Sequence, residues 1–179
     1  AYAKKNGYNV KLIKNIRFLD IENDLRPFLN DTLLVGISCM TGDPIKNGIE
    51  FSRVVKKIAP DLPIVWGGYH ATLEPGQTIS NENIDFLIRG WGEEPIVELL
   101  EALKKQKDLR GIAGLSYKIG GQIIHNPIRK FSDINPFPRY DYDLQEGFKE
   151  SSRRLGKRLR SGSGWPQVPW FKIDHRPPL

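Results

Sequence analysis

Cysteine is nearly absent: Cys39 is the only one in 179 residues. A lone thiol excludes a disulfide framework and a cysteine-ligated iron–sulfur cluster within this chain. A reducing cytoplasm is the expected compartment. Long apolar runs are missing as well. The longest is a handful of residues, too short to cross a bilayer, and no charged-then-apolar leader opens the sequence. Phosphate-binding loops are also lacking. No P-loop occurs, and Gly90-Trp91-Gly92-Glu93-Glu94-Pro95 fails the dinucleotide fingerprint G-x-G-x-x-G because Pro95 stands at the third glycine. Glu93 and Glu94 would also face a pyrophosphate at a helix N-terminus. Finally, the body of the chain has no excess of charge. The formal net charge is +6, but seven Lys and Arg against the single acid Asp174 lie from Ser151 onward. The residues before Ser151 are balanced, so the basic character describes a tail and nucleic acid is not the expected partner.

What is present alternates between two periods. Ala1 to Gly7 reads as the last turns of a helix ended by glycine, and Tyr8 to Ile13 as a strand. Ile21 to Leu29 is a short helix around Pro27, and Leu33 to Ser38 a buried strand. Asp43 and Pro44 suit the N-cap and first position of a helix whose apolar face is Ile45, Ile49, Val54, Val55 and Ile58. Ile64 to Trp66 and Ile84 to Ile88 are further strands. Glu93 to Lys107 is a helix with acids at its start and bases at its end. Gly120-Gly121 joins Leu115–Ile119 to Gln122–Ile124 as a hairpin. This order predicts an α/β fold with a mainly parallel sheet closed by a C-terminal hairpin.

The chain turns on Gly67 and Gly68, which end the Ile64 strand. Two absent side chains at a strand's carboxyl end admit another backbone or a ligand. Ligands of open α/β sheets bind in that crevice. Three loops converge there: Ser38-Cys39-Met40-Thr41-Gly42, Gly67-Gly68-Tyr69-His70 and Arg89-Gly90-Trp91-Gly92-Glu93. Hydroxyls, glycine amides and one imidazole with little fixed charge suit a large, polar, mostly neutral ligand.

Ser38-x-Met40 precedes Gly67-Gly68 by twenty-six intervening residues. That pattern, with the phrases Val35–Gly42, Pro63–Pro75 and Asn83–Glu93, resembles the cobalamin-binding domain at the front of B12-dependent radical SAM enzymes. The resemblance covers roughly Ala1 to Asp143. It implies a flavodoxin-like (Rossmann-like) three-layer fold with cobalamin as cofactor and partner. By it, Ser38, Met40, Thr41, Gly67, Gly68, Tyr69, His70, Gly90, Trp91, Gly92 and Glu93 border the ligand. Met40 stands where the family usually has Leu, and Trp91 where it has the first Glu of R-G-E-G-E. The family's D-x-H-x-x-G segment would lie before Ala1, and its Cys triplet does not follow the connector. The [4Fe-4S] cluster and S-adenosylmethionine of the parent enzymes are therefore not expected to bind this chain. The implied role is a binding module that catalyses nothing by itself, with no catalytic and no metal-ligating residues assigned.

Alternatives stay open at this point. A receiver-like or flavin-binding signalling domain shares the fold, though the visible strand ends offer Ser38, Gly67 and Arg89 in place of an acidic cluster. Ser38 and Thr41 also suit helix capping, and His70 a surface position. His125 and His175 have no partner in sequence, and Cys39 reads as a small buried apolar group. The expected organisation is a domain over residues 1–130, a Pro- and aromatic-rich connector over 131–150 and a basic, disordered tail over 151–179. Loss of the tail is then expected to leave stability unchanged. The absent first strand is expected to leave the Tyr8 and Leu33 strands either paired directly or exposing edges that promote self-association.

Overall fold

A computed structural model describes residues 1–13, 21–130, 137–138 and 170–174. Six helices and seven strands alternate among them. In chain order they are α1 (Tyr2–Lys5), β1 (Asn9–Ile13), α2 (Ile21–Leu29), β2 (Thr32–Ser38), α3 (Pro44–Ile58), β3 (Ile64–Gly67) and α4 (Tyr69–Leu73). Then come α5 (Pro75–Ser80), β4 (Phe86–Ile88), α6 (Glu93–Lys105), β5 (Leu115–Ile119), β6 (Gln122–His125) and β7 (Trp170–Asp174).

The strands form one open sheet in the order β1-β7-β2-β3-β4-β5-β6. β2, β3 and β4 are mutually parallel, and β1 runs in the same direction. β5, β6 and β7 supply the antiparallel pairings. The expected architecture is therefore present: an open, Rossmann-like α/β sheet with helices on both faces. On one face α2, α3 and α5 bury Leu25, Val54 and Ile79 against Val35, Ile64, Trp66 and Leu87. On the other, α1 and α6 bury Ala3, Leu99 and Leu100 against Leu34, Val65, Ile88 and Leu115. Tyr8 ties that second layer together by donating its hydroxyl to Glu101 at 2.5 Å. Burial, with this contact to a carboxylate, raises the Tyr8 pKa well above the ordinary phenol value. The hairpin turn is as expected, since Gly120 and Gly121 both adopt positive φ, 55° and 78°.

Three expectations need correction. Asp43 occupies the N-cap of α3 but its side chain makes no capping bond. On α3 the face read in the sequence holds at Ile45, Val54, Val55 and Ile58, which pack on the core, and needs correction at Ile49. Gly48, Phe51, Ser52, Val54 and Val55 face inward while Ile49 is exposed. The reason is Trp66, fully buried beneath the helix, whose indole N–H donates to Ser52 Oγ at 3.0 Å. A Cβ on Gly48 would stand 2.7 Å from the Trp66 ring, so the helix presents its glycine to the largest core side chain. Gly48→Val should destabilise the domain by about 2 kcal/mol, as overpacking of a rigid core does. Denaturant unfolding checks this, and an unchanged midpoint would show that the indole has another place to go.

The third correction is the largest. The tail, expected to be disordered throughout, supplies β7 between β1 and β2. Asn9 to Ile13 pair with Asp174 to Trp170 on one side. Thr32 to Ile37 pair with Asp174 to Trp170 on the other, with a register shift between Thr32 and Leu34. Thus β1 and β2 do not pair directly, and the edges they turn toward each other are both filled by β7. Backbone groups that would stand unpaired in an apolar layer are bonded by this strand. The inner edges of those two strands are therefore closed, while β1 keeps its outer edge at the end of the sheet. The basic run, Trp165, His175 and most of the 131–150 connector lie outside the described residues.

Candidate functional site

The carboxyl ends of β2, β3 and β4 lie side by side, so the loops after them share one rim, as the alternation of elements dictates. Their backbones are laced together. The Cys39 amide donates to Gly67 O at 2.9 Å, and the His70 amide to Cys39 O at 3.1 Å. Thr72 joins the second loop to the third: its hydroxyl donates to Gly68 O at 2.9 Å and accepts from the Gly90 amide at 2.9 Å.

The two glycines of β3's end do different things. Gly68 has φ 90°, and a Cβ there would meet Cys39 O at 2.9 Å, Cys39 N at 3.0 Å and Ser38 Oγ at 3.0 Å. Its missing side chain lets the first two loops touch. Gly67 has ordinary φ, and its nearest neighbour to an added Cβ is Ile88 O at 3.8 Å. Its missing side chain is real space in a cavity.

That cavity, of about 760 Å³, opens between the α1 and α6 layer and the strand ends. Val10 and Leu12 of β1, Val65 of β3 and Ile96 of α6 give it an apolar lining. Of the residues singled out in the sequence, Ser38, Gly67, Gly68, Tyr69, Gly90, Trp91, Gly92 and Glu93 border it. Tyr69 and Trp91 are 63% and 47% exposed, large rings left uncovered at its mouth. Phe137 sets its ring edge-on to Tyr2, centroids 5.1 Å apart, which brings Pro138 of the connector to the same wall.

Three residues expected at the ligand do not line the cavity. Met40 is 67% exposed and Thr41 is also exposed, because the chain leaves the rim to begin α3. His70 is buried on α4, with its Nδ1 lacking a hydrogen-bond partner. Arg89 turns away, buried, with a guanidinium N–H donated to the carbonyl of Asn126. Cys39 is buried, and that burial pushes its thiol up to about 11, so it is an inert apolar group as expected. His125, left unassigned, shares a 2.8 Å hydrogen bond with Ser116 Oγ in the hairpin. Thr72 is the residue that sequence reasoning missed. Its signal was its place four residues after Gly68, which aims a helical hydroxyl back at that carbonyl.

Among the described residues no cluster of three or more His, Cys, Asp or Glu could hold a metal ion. A macrocycle-held cobalt needs room, apolar contact and hydrogen bonds rather than a protein ligand set, and the glycine rim and apolar walls provide these.

An open α/β sheet with a glycine-rimmed cavity at its strand ends defines a ligand-binding Rossmann-like domain. Comparison makes the class particular. Residues 1–100 match the B12 binding domain family, and this chain belongs to it. The chain is 34% identical over 165 residues to an uncharacterized methyltransferase of Pyrococcus horikoshii, covering 88% of this chain and 35% of that protein. It is 32% identical over 132 residues to the anaerobic magnesium-protoporphyrin IX monomethyl ester cyclase of Synechocystis sp., covering 66% and 26% respectively. The chain thus spans about a third of the first relative and a quarter of the second. In fold it is similar to the radical S-adenosylmethionine methyltransferase TsrM of Kitasatospora setae with cobalamin and a [4Fe-4S] cluster bound. The TM-score there is 0.55 at 19% identity, over 68% of this chain and 23% of that one. The cobalamin-dependent S-adenosylmethionine radical enzyme OxsB gives 0.50 at 23% identity, over 62% and 16%. The protein is a B12-binding domain whose cofactor is cobalamin, and it resembles the cobalamin-binding part of B12-dependent radical SAM enzymes. The receiver-like or flavin-binding alternative is not favoured. No helix among the described residues is long and apolar enough to cross a membrane.

Proposed function

We propose that this chain is a carrier module: it holds cobalamin across the strand ends and presents it to a separate catalytic part, performing no reaction alone. The observation that carries this reading is the coincidence of three strand-end loops on one cavity with an apolar wall and a glycine-cleared floor. Bound cobalamin would supply a cobalt centre able to carry an alkyl group. The protein's residues bind and orient it. Ser38 offers a half-buried hydroxyl at the end of β2, and Gly67 leaves backbone bare beside it. Thr72 holds the second and third loops at a fixed separation. Gly90 and Gly92 let the third loop approach closely, and Tyr69 and Trp91 cover the mouth. His70, buried on α4 with its amide bonded to Cys39 O, acts behind this surface by holding the second loop against the first.

In this reading residues 1–130 are the binding domain and 131–150 a connector whose Pro138 touches the cavity wall. The 151–179 segment returns β7 to the sheet. The role in a methyltransferase or related enzyme is supported by the relatives above, and a reducing cytoplasmic setting by the single, buried thiol. Titration of the chain with hydroxocobalamin, followed by calorimetry and by the visible spectrum, tests the reading. A dissociation constant of roughly micromolar order is expected, about 8 kcal/mol, and Ser38→Ala should weaken it several-fold. A folded protein that gives no heat and no spectral change up to about millimolar ligand would overturn it.

A further inference from the structure

One lining side chain has no explanation in shape alone. Glu93, at the first position of α6, borders the cavity and is half-buried. Among the described lining residues it is the only ionisable side chain apart from the phenol of Tyr2 and of Tyr69. Its neighbours Glu94 and Glu98 are accounted for, held by the Arg129 guanidinium at 2.8 and 2.6 Å. Among the described residues Glu93 has no such partner. A carboxylate left facing water at a cavity wall tolerates that exposure. Covered by a ligand, it needs donors, because a desolvated and unpaired carboxylate is costly.

We infer that Glu93 sets the peripheral chemistry of the accepted corrinoid, selecting rings whose side chains are amides over rings that carry free carboxylates. The inference rests on the reading above, that this cavity holds a corrinoid. A primary amide presents N–H donors to the Glu93 oxygens and leaves one negative charge properly bonded. A carboxylate at the same place presents no donor and adds a like charge within a partly dry site. No Lys, Arg or His among the described lining residues is available to neutralise it. Discrimination of this sort comes from repulsion of the wrong ligand as much as attraction of the right one. The helix N-terminus eases the presence of the Glu93 charge but is not sufficient to hold a second one.

The test compares hydroxocobalamin with its separated monocarboxylic acids, in each of which one ring amide is hydrolysed, by calorimetry at neutral pH. At least one isomer should bind about tenfold more weakly than hydroxocobalamin to the wild type. That penalty should shrink toward parity in Glu93→Gln and reverse in Glu93→Lys, with circular dichroism showing that both variants are folded. It should also shrink as salt is raised. Equal affinity of all the ligands for the wild type, or a penalty that persists unchanged in Glu93→Gln, would overturn the inference while leaving cobalamin binding intact. Failure of hydroxocobalamin itself to bind would instead overturn the reading beneath it.

Discussion

A chain ending at residue 169 should melt roughly 8–16 °C lower than the full chain, or lose its cooperative transition. The strand removed is β7, which lies inside the sheet with a partner on each side. Its loss strips one ladder from β1 and another from β2. Each hydrogen bond contributes about 1 kcal/mol net, and unpaired groups in an apolar layer add a larger penalty. A loss of about 4 kcal/mol is therefore a conservative figure, and for a domain of this size it corresponds to the stated shift. Cobalamin binding should fall with it, because Val10 and Leu12 of the cavity wall belong to β1, which is joined to β2 through β7. Lys172→Pro isolates the backbone term, since Lys172 pairs with both Lys11 and Val35 and proline cannot donate within a central strand. It should reproduce most of the loss. Unchanged melting in both variants would mean that β1 and β2 close up without help, and β7 would then be a dispensable addition.

The second large effect separates the two glycines. Gly68→Val should cost the protein both stability, about 3 kcal/mol, and ligand binding. Its φ of 90° disfavours any β-branched residue, and the new side chain would meet the Cys39 backbone at 2.9 and 3.0 Å. Gly67→Val should instead leave the melting temperature within a few degrees. Strand β3 accepts valine, and the added Cβ has no neighbour nearer than 3.8 Å. Binding should nevertheless drop at least about tenfold, because the side chain occupies the cavity. Hydroxocobalamin titration beside thermal melts of the three proteins decides the matter. If Gly67→Val binds as the wild type does, the ligand does not pass over the end of β3. If Gly68→Val melts normally, the contact between the first two loops has slack that the geometry does not show.

Much of this was legible in the sequence because it depends on local pattern. Apolar runs ending in glycine, helices with acids first and bases last, and Gly120-Gly121 between alternating strands each carry their own physics. Together they determine an open α/β sheet and place Ser38, Gly67, Gly90 and Glu93 on one rim, since parallel strands of one sheet end on the same side. The ligand class came from the family resemblance that Ser38-x-Met40 and Gly67-Gly68 carry. Contacts between distant segments were not legible. On α3, the inward placement of Gly48 and Ser52 was decided by Trp66 seeking both a gap and an acceptor. Whether a glycine clears space for a ligand or for a neighbouring loop depends on what lies opposite, which separated Gly67 from Gly68. Thr72 became a bridge only when Gly90 arrived above it. The fate of the C-terminal segment was the least legible of all. Trp170, Phe171 and Ile173 favour a strand, but five residues in a basic, proline-rich stretch do not say which strands they join. Only the folded sheet, with two strands held apart and needing backbone partners, gives Trp170–Asp174 a reason to be β7.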